Sequence, residues 1–447
     1  MEAGTRKAAA GKLMKNNIRN LLLLFAMLGM HSLAAQTSNH ITTSGRWIIG
    51  PCGDTLLLKG INYAPYNWGW SPSQLQINQL ALTGANCVRL PWYVNTPDGP
   101  TPQATYNNLV NLDSALAQCV RFDMIPILEL HDQTCQNNAQ ALTTLANWFT
   151  QPGVLALITQ YQHSIIVNVA NEALYVNWTG NPQAAQTTFQ NTYSGIVTTL
   201  RNAGITAPIM IDGPDCGTNL DVLAAVGPAL VASDPQSNLI FSAHAYWYAY
   251  ANNDSVQMLN KVNNALAQNI PFVFGEIANL QDDQQMCQYT LNYQPLLRIC
   301  RQNEIGWMAW SWNNDGCSAR QMSTNGNFSS LTAYGNDLIY NAGYGLLTQP
   351  AAKSNYLLNN GCLSVGLSQS YVRPEIKLIP NPGNGIFTVV SNSQFNKVEA
   401  VNLAGQAVAI VKTGAASWEL EQKVPGVYFV TVTDESGFRI TQKLVIN

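Results

Sequence analysis

Between about Arg46 and Tyr344 the chain contains eight short apolar or β-branched runs, each separated from the next by a stretch able to form an amphipathic helix. The runs are Leu56–Asn62, Asn86–Trp92, Ile125–His131, Ile165–Asn171, Ala207–Gly213, Leu239–Tyr246, Pro271–Ala278 and Gly306–Trp312. Near-continuous hydrophobicity is what strands buried on both faces require, and the spacers are long enough for crossover helices. Pro182 to Gly204 shows the helical pattern, with Phe189, Tyr193, Ile196, Val197 and Leu200 on one face and a glycine at the stop. Eight alternating units predict an α/β fold, a (β/α)8 TIM barrel. A doubly wound open sheet is the alternative, but it normally carries a phosphate-binding glycine turn after an early strand. No G-x-G-x-x-G follows any run, and there is no P-loop. Pro51-Cys52-Gly53-Asp54 reads as the turn of a small hairpin closing the barrel floor.

After about Cys362 the pattern changes. From Pro374 to Asn447 there are no cysteines or histidines, and short alternating strands are separated by Gly, Pro and Asn turns. Ile386–Ser391, Lys397–Asn402, Val408–Lys412, Val427–Thr433 and Lys443–Ile446 predict a small all-β immunoglobulin-like sandwich. The expected organisation is a signal peptide over 1–35, the barrel over 36–362, a linker over 363–373 and the sandwich over 374–447.

The export signal is read from Leu21 to Leu28, an apolar run extended weakly to Ala35, preceded by Lys12, Lys15 and Arg19 and followed by small residues. Basic region, short apolar region and Ala-containing cleavage site make a secretory signal, complete whether the chain starts at Met1 or Met14. A membrane span needs roughly 20 apolar residues, so an anchor is the weaker reading and no other segment fits one. Only 11% of residues are charged and the net charge is −3, which leaves no basic footprint for nucleic acid and suits a polar, uncharged partner. Nine cysteines in an exported protein permit disulfides, and the odd count leaves at least one thiol unpaired. Cys87, inside a buried run, is the expected free one. With no C-x-x-C pair, a structural zinc site is not expected.

The barrel segment contains four glutamates, Glu129, Glu172, Glu276 and Glu304. Glu172 and Glu276 fall at the carboxyl ends of the fourth and seventh runs, the face where TIM barrels build active sites. Two carboxyls facing each other there, roughly 5 Å apart, are the minimum equipment of a retaining glycosidase. Glu129 shares a strand face with His131 and is expected to partner a buried cation; Glu304 is expected in solvent on the floor. Arg89, His131, Asn171, His244, Tyr246, Trp310 and Trp312 also lie at run ends. Singly, each has a packing explanation. Together at five or six strand ends they do not, because buried polar side chains cost stability unless paired.

The strings Asn86-Cys-Val-Arg-Leu-Pro, Leu128-Glu-Leu-His-Asp, Val169-Ala-Asn-Glu, Phe241-Ser-Ala-His-Ala-Tyr, Phe274-Gly-Glu and Trp307-Met-Ala-Trp-Ser-Trp resemble glycoside hydrolase family 5 in order and spacing. Within it, Leu200-Arg-Asn-Ala-Gly, Asp234-Pro-Gln-Ser-Asn, Leu331-Thr-Ala-Tyr-Gly-Asn and Tyr344-Gly-Leu are similar to bacterial endo-β-1,4-mannanases. The resemblance implies Glu172 as acid/base and Glu276 as nucleophile, with Arg89 and Tyr246 keeping Glu276 ionised by hydrogen bonding. It implies that Asn171 binds the C2 hydroxyl, that His131 and His244 line that subsite and that Trp310 forms its floor. No metal or cofactor is implied. The chain departs from the mannanase pattern at Ala173, at Ile277-Ala-Asn, at Tyr63 to Trp70 and at Pro91-Trp92-Tyr93, loops that shape the cleft.

Trp68, Trp70, Trp92, Tyr93, Trp178, Trp247 and Tyr248 lie on or beside top-face loops, where aromatic faces can stack on sugars. In the tail, Ile379-Pro-Asn-Pro-Gly-Asn-Gly, Val424-Pro-Gly-Val-Tyr-Phe and Lys443-Leu-Val-Ile resemble the C-terminal sorting domain of the type IX secretion system. The alternative for the tail, a carbohydrate-binding sandwich, is poorly supplied with aromatics. The expected protein is a secreted, monomeric, retaining endo-β-1,4-glycanase acting on β-mannan. Its rivals are an endo-β-1,4-glucanase on the same fold and a non-catalytic glycan-binding surface protein.

Overall fold

The computed structural model describes residues 40–65, 74–95, 102–246, 251–281, 287–363, 376–391, 395–414, 416–434 and 439–447. The signal segment, nearly all of the linker, and Trp68, Trp70, Trp247 and Tyr248 lie outside the described residues. Two compact units follow, one ending at Leu363 and the other running to Asn447.

The first unit opens with an antiparallel sheet, β1 (Thr42–Ser44), β2 (Trp47–Ile49) and β3 (Thr55–Leu56), whose β2–β3 turn is the predicted Pro51–Asp54 corner. Eight parallel strands then close a barrel: β4 (Lys59–Asn62), β5 (Cys87–Trp92), β6 (Ile125–Leu130), β7 (Ile166–Asn168), β8 (Ile209–Asp212), β9 (Leu239–His244), β10 (Phe272–Ile277) and β11 (Gly306–Ala309). Each predicted run holds one strand. Six of the runs overshoot at their carboxyl ends because the chain there leaves the ladder to carry side chains into the top face.

Alternation sorts the side chains. Cys87, Ile125, Ile127, Ile166, Met210, Ile240, Val273 and Met308 fill the lower barrel interior, and Ile48 and Leu56 from the opening sheet, with Ile41 and Leu58 beside it, plug it beneath. Outward residues such as Val88, Leu128, Val167, Ile211, Phe241 and Trp307 pack against the surrounding helices. The helix Pro182–Asn202 buries the five predicted apolar residues, is capped by the Asn181 side chain, starts with a proline and stops before Gly204 at φ +95°. Arg201 near its end makes a bidentate pair with Asp234 at 2.9 and 3.0 Å and also donates to three carbonyls.

Three disulfides join Cys52 to Cys362, Cys135 to Cys216 and Cys287 to Cys317. Cys87 is free as expected, and so are the buried Cys119 and Cys300. Burial pushes all three thiols up, which keeps them inert.

The second unit has two four-stranded antiparallel sheets, β12 (Ile376–Ile379), β13 (Ile386–Ser391), β17 (Ser417–Leu420) and β16 (Ile410–Lys412) in one, and β15 (Ala407–Val408), β14 (Phe395–Asn402), β18 (Gly426–Asp434) and β19 (Arg439–Ile446) in the other. Leu378, Phe387 and Trp418 from the first sheet meet Tyr428, Val430, Val432 and Leu444 from the second in one core, which makes a sandwich. Strands β12 and β17 add to the five predicted runs; both are four-residue segments too short to show a period. Trp418 is buried in that core and offers no planar face to a sugar.

Candidate active site

The same alternation that makes the lower interior apolar makes the upper interior polar. Continuing inward from Cys87, Ile127, Ile166, Met210, Ile240 and Met308 come Arg89, Glu129, Asn168, Asp212, Ser242, His244 and Trp310. On β10 strict alternation fails. Val273 faces inward and Phe274 outward, so a regular strand would send Glu276 outward; a register irregularity between Phe274 and Glu276 turns it into the barrel. Gly275 is required at that bend, because a Cβ there would lie 2.1 Å from Ser242 Oγ and 3.0 Å from His244 Nε2.

Arg89 organises this layer. Fully buried, it donates to Asn168 Oδ1 (2.9 Å), Asn62 Oδ1 (3.0 Å), Glu276 Oε1 (2.6 Å), Asn171 Oδ1 (2.8 Å) and Asp212 Oδ2 (3.1 Å). Tyr246 donates to the other Glu276 oxygen at 2.8 Å. Both predicted donors therefore hold Glu276. Burial nevertheless pushes the carboxyl up, to about 7, against Arg89, His131 and the Tyr246 hydroxyl. The two expected donors act in the lowering direction, and removal of water from the group acts against them.

Glu172 stands just past β7, on a backbone at φ +48°. Asn171, beside it, is fixed by its amide to Leu130 O (2.8 Å) and by Thr134 Oγ1 (3.0 Å). Glu172 Oε1 meets His244 Nδ1 at 2.8 Å. His244 is held well below its usual value by burial, Arg89 and His131, so it is neutral near pH 7. Its other nitrogen lies 3.3 Å from Asp212 Oδ2. One carboxylate oxygen of Glu172, one ring nitrogen of His244 and one carboxylate oxygen of Glu276 lie within 4.8 Å of one another.

On the remaining side, the ring of His131 stacks on Trp310 at 5.9 Å with planes 11° apart, and its Nδ1 is 3.0 Å from Glu129 Oε2. Although burial works against it, the Glu129 carboxylate raises His131 above its usual value. Glu129 also lies 3.8 Å from Arg89, as expected of a partner to a buried cation. Glu304 is exposed and reaches Arg46 at 3.6 Å.

All eight predicted site residues thus meet at one mouth. Asn62, Asn168 and Asp212 complete it and were not singled out from sequence, although Asn62 and Asp212 stand at or next to the ends of apolar runs and Asn168 interrupts one. Asp212 binds Arg89, Asn168 Nδ2 (3.0 Å) and the Glu172 amide (3.4 Å), and burial raises its carboxyl. Trp312 and Trp92 are corrected to core residues: both are fully buried, donating to Gly326 O (2.9 Å) and Tyr106 O (3.2 Å). Tyr93, also buried, packs edge-on against His131, while Trp178 is 46% exposed.

Glu172 has strained company. Cys135, Glu172, Leu174, Asp215 and Cys216 all have φ between +48° and +74°, conformations that cost about 1–2 kcal/mol each for residues with a Cβ. Dense hydrogen bonding holds them: Asp215 alone accepts from the Val176, Asn177 and Trp178 amides and from Asn219 Nδ2.

Residues 51–316 match the family described as Cellulase (glycosyl hydrolase family 5). The chain belongs to glycosyl hydrolase family 5. It is therefore a glycoside hydrolase, and residues 377–447 match the secretion system C-terminal sorting domain, which directs type IX secretion to the cell surface or beyond. The mannan endo-1,4-beta-mannosidase of Cellvibrio japonicus is 29% identical over 72% of this family 5 chain and 71% of its own length. That of Salipaludibacillus agaradhaerens is 24% identical over 65% of this chain and 87% of its own. In fold, the chain is similar to the catalytic domain of mannanase from Streptomyces sp. SirexAA-E, with a TM-score of 0.60 at 21% identity, covering 72% of this chain and 96% of that one. Among the described residues, no helix of this hydrolase is long and apolar enough to cross a membrane.

Proposed function

We propose that this family 5 hydrolase is a retaining endo-β-1,4-glycanase that cuts β-mannan, with Glu276 as nucleophile and Glu172 as acid/base. The observation that carries the mechanism is the approach of one oxygen of each carboxyl to within 4.8 Å of the other, which fits the close pair of a retaining enzyme, roughly 5 Å apart, better than the wider pair that makes room for an inverting water. Their surroundings divide the labour. Glu276, gripped by two donors, attacks the anomeric carbon as a carboxylate and becomes the ester of a glycosyl-enzyme. Glu172, protonated, hands its proton to the leaving oxygen and afterwards takes one from the attacking water. A neutral His244 accepts the Glu172 proton's hydrogen bond at Nδ1 and keeps that carboxyl aimed. Asn171, oriented by Arg89 and Thr134, binds the C2 hydroxyl, and the His131–Trp310 stack forms the sugar's floor.

The mannan substrate is supported by the names of the relatives; no cofactor or metal enters the steps. The enzyme acts as a monomer, after export directed by its amino-terminal signal. Glu276→Ala is expected to abolish turnover. Glu172→Ala is expected to spare activated aryl glycosides, whose leaving groups need no proton, and to be rescued by azide with a β-glycosyl azide as product, since two inversions restore configuration. An α-azide, or turnover by Glu276→Ala, reverses the assignment. Viscosity of mannan should fall faster than reducing ends appear; activity on carboxymethyl-cellulose with none on mannan moves the substrate to glucan.

A further inference from the structure

Glu172 lies between two loops that are covalently joined. The turn 131–137 follows β6 and the turn 213–219 follows β8, and Cys135 on the first is bonded to Cys216 on the second. The Cys135 sulfur sits 3.3 Å from Glu172 Oε2, while His244 takes Oε1. Both sulfurs and a Glu172 oxygen lie within 4.8 Å of one another.

We propose that the Cys135–Cys216 disulfide is a positioning element for the acid/base, a redox-closed wall that holds the Glu172 carboxyl against His244 and keeps its proton on until the leaving oxygen arrives. This rests on the reading of Glu172 as acid/base. A disulfide sulfur has no hydrogen and donates nothing to a carboxylate, so its contact at Oε2 withholds the hydrogen bond an anion needs there and favours the acid form, whose proton lies on Oε1 towards His244. It also occupies space from which water would solvate the anion. Stapling the loops does not by itself account for the bond, because they are already laced together. Leu174 N donates to Gln136 O (2.9 Å), Asp215 N donates to Leu174 O (2.9 Å), and Tyr175 Oη donates to Cys135 O (2.6 Å). What the disulfide adds is its sulfur surface on the carboxyl. Opened, the same pair presents two S–H donors to Glu172 and reverses the preference.

The test uses the full chain and compares Cys135→Ala/Cys216→Ala with Cys52→Ala/Cys362→Ala, whose bond lies on the barrel floor. The first variant is expected to lose roughly tenfold in kcat on mannan with little change in KM, to keep most of its rate on a dinitrophenyl β-mannobioside, and to move the alkaline limb of its pH profile to lower pH. The floor variant is expected to lose thermal stability and keep its pH profile. Equal losses on both substrates with unmoved limbs, or no loss at all, overturn the proposal. If the double variant does not fold, titrating the intact enzyme with reductant, with the opened pair identified by differential alkylation and mass spectrometry, gives the same readout. Glu172→Ala measured in parallel separates the two claims: if it lacks the dependence on leaving group, the acid/base assignment has failed rather than the role of the disulfide.

Discussion

Arg89 is fully buried among Glu129, Asp212 and Glu276, with Glu172 near by, so one guanidinium faces four carboxyl groups. A set with that excess of negative charge can enter a water-poor interior only by keeping protons on some members. Glu276, raised to about 7, is one of them. The acid limb of kcat/KM is therefore expected near neutrality, not near the ~4.3 of an ordinary glutamate, with activity rising as Glu276 ionises. The same shift acts on stability with the opposite sense. Between ~4.3 and about 7 the native state holds a proton that the unfolded chain has lost, so this group's contribution to stability falls as pH rises across that window. Kinetic pH profiles and thermal melts at matched pH check both statements; an acid limb near 4 with flat melts contradicts them. At this scale the sequence was informative wherever a residue obeyed the strand period. Arg89, Glu129, His131 and His244 fall on the inward phase by counting. Glu276 does not, and its place at the carboxyl end of the seventh run and its motif identified it instead, because an irregularity in a strand leaves no mark on composition. Asp212 was passed over because an aspartate closing an apolar run also reads as a loop residue.

Among the elements, the helix Pro182–Asn202 and the turn after the helix ending at Ser233 are joined by the Arg201–Asp234 pair, formed by two of the strings that resemble mannanases. Burial opposes the charge on Asp234, but Arg201 and the Asn238 amide hold the carboxyl below its usual range. A depressed native value gives stability that is fully present above the unfolded value, ~3.9, and is lost as pH falls through the native one. Asp234→Asn leaves a buried guanidinium without its counter-charge, and a loss of about 3–5 kcal/mol is expected by denaturant titration. Catalysis at a temperature where the variant stays folded should be unchanged, since the pair touches no site residue; a loss below ~1 kcal/mol contradicts a buried, uncompensated charge. The eight strands and this helix were legible because buried elements must be apolar on schedule. The pairing of cysteines was not, since contact between loops after different strands depends on closure of the barrel. The odd count required at least one free thiol and burial favoured Cys87; the structure has Cys87, Cys119 and Cys300 free.

For the whole molecule, the two units have separate cores, Leu378, Phe387 and Trp418 belonging wholly to the second. A chain truncated after Leu363 is expected to fold and to hydrolyse mannan at the full-length rate, while in the native host it should accumulate in the periplasm. Undiminished export of the truncated form removes the sorting role, and an insoluble barrel contradicts the independence of the cores. The family match and the sorting tail were both readable as motifs, as were the mannanase-like strings on which the expected sugar rests, whereas the cleft loops that depart from the mannanase pattern follow no period.

The disulfide between Cys52 and Cys362 spans 310 residues and encloses every barrel strand. Topologically, the catalytic unit is a closed loop of chain with a tail leaving just outside the clasp. A single cut by a neighbouring microbe's protease, anywhere between the two cysteines, leaves both pieces covalently tethered and every strand within reach of its partners. A cut beyond Cys362 sheds the sorting tail without opening the loop. One cut inside the loop therefore frees no part of the barrel, whereas one cut beyond the clasp frees the sorting tail.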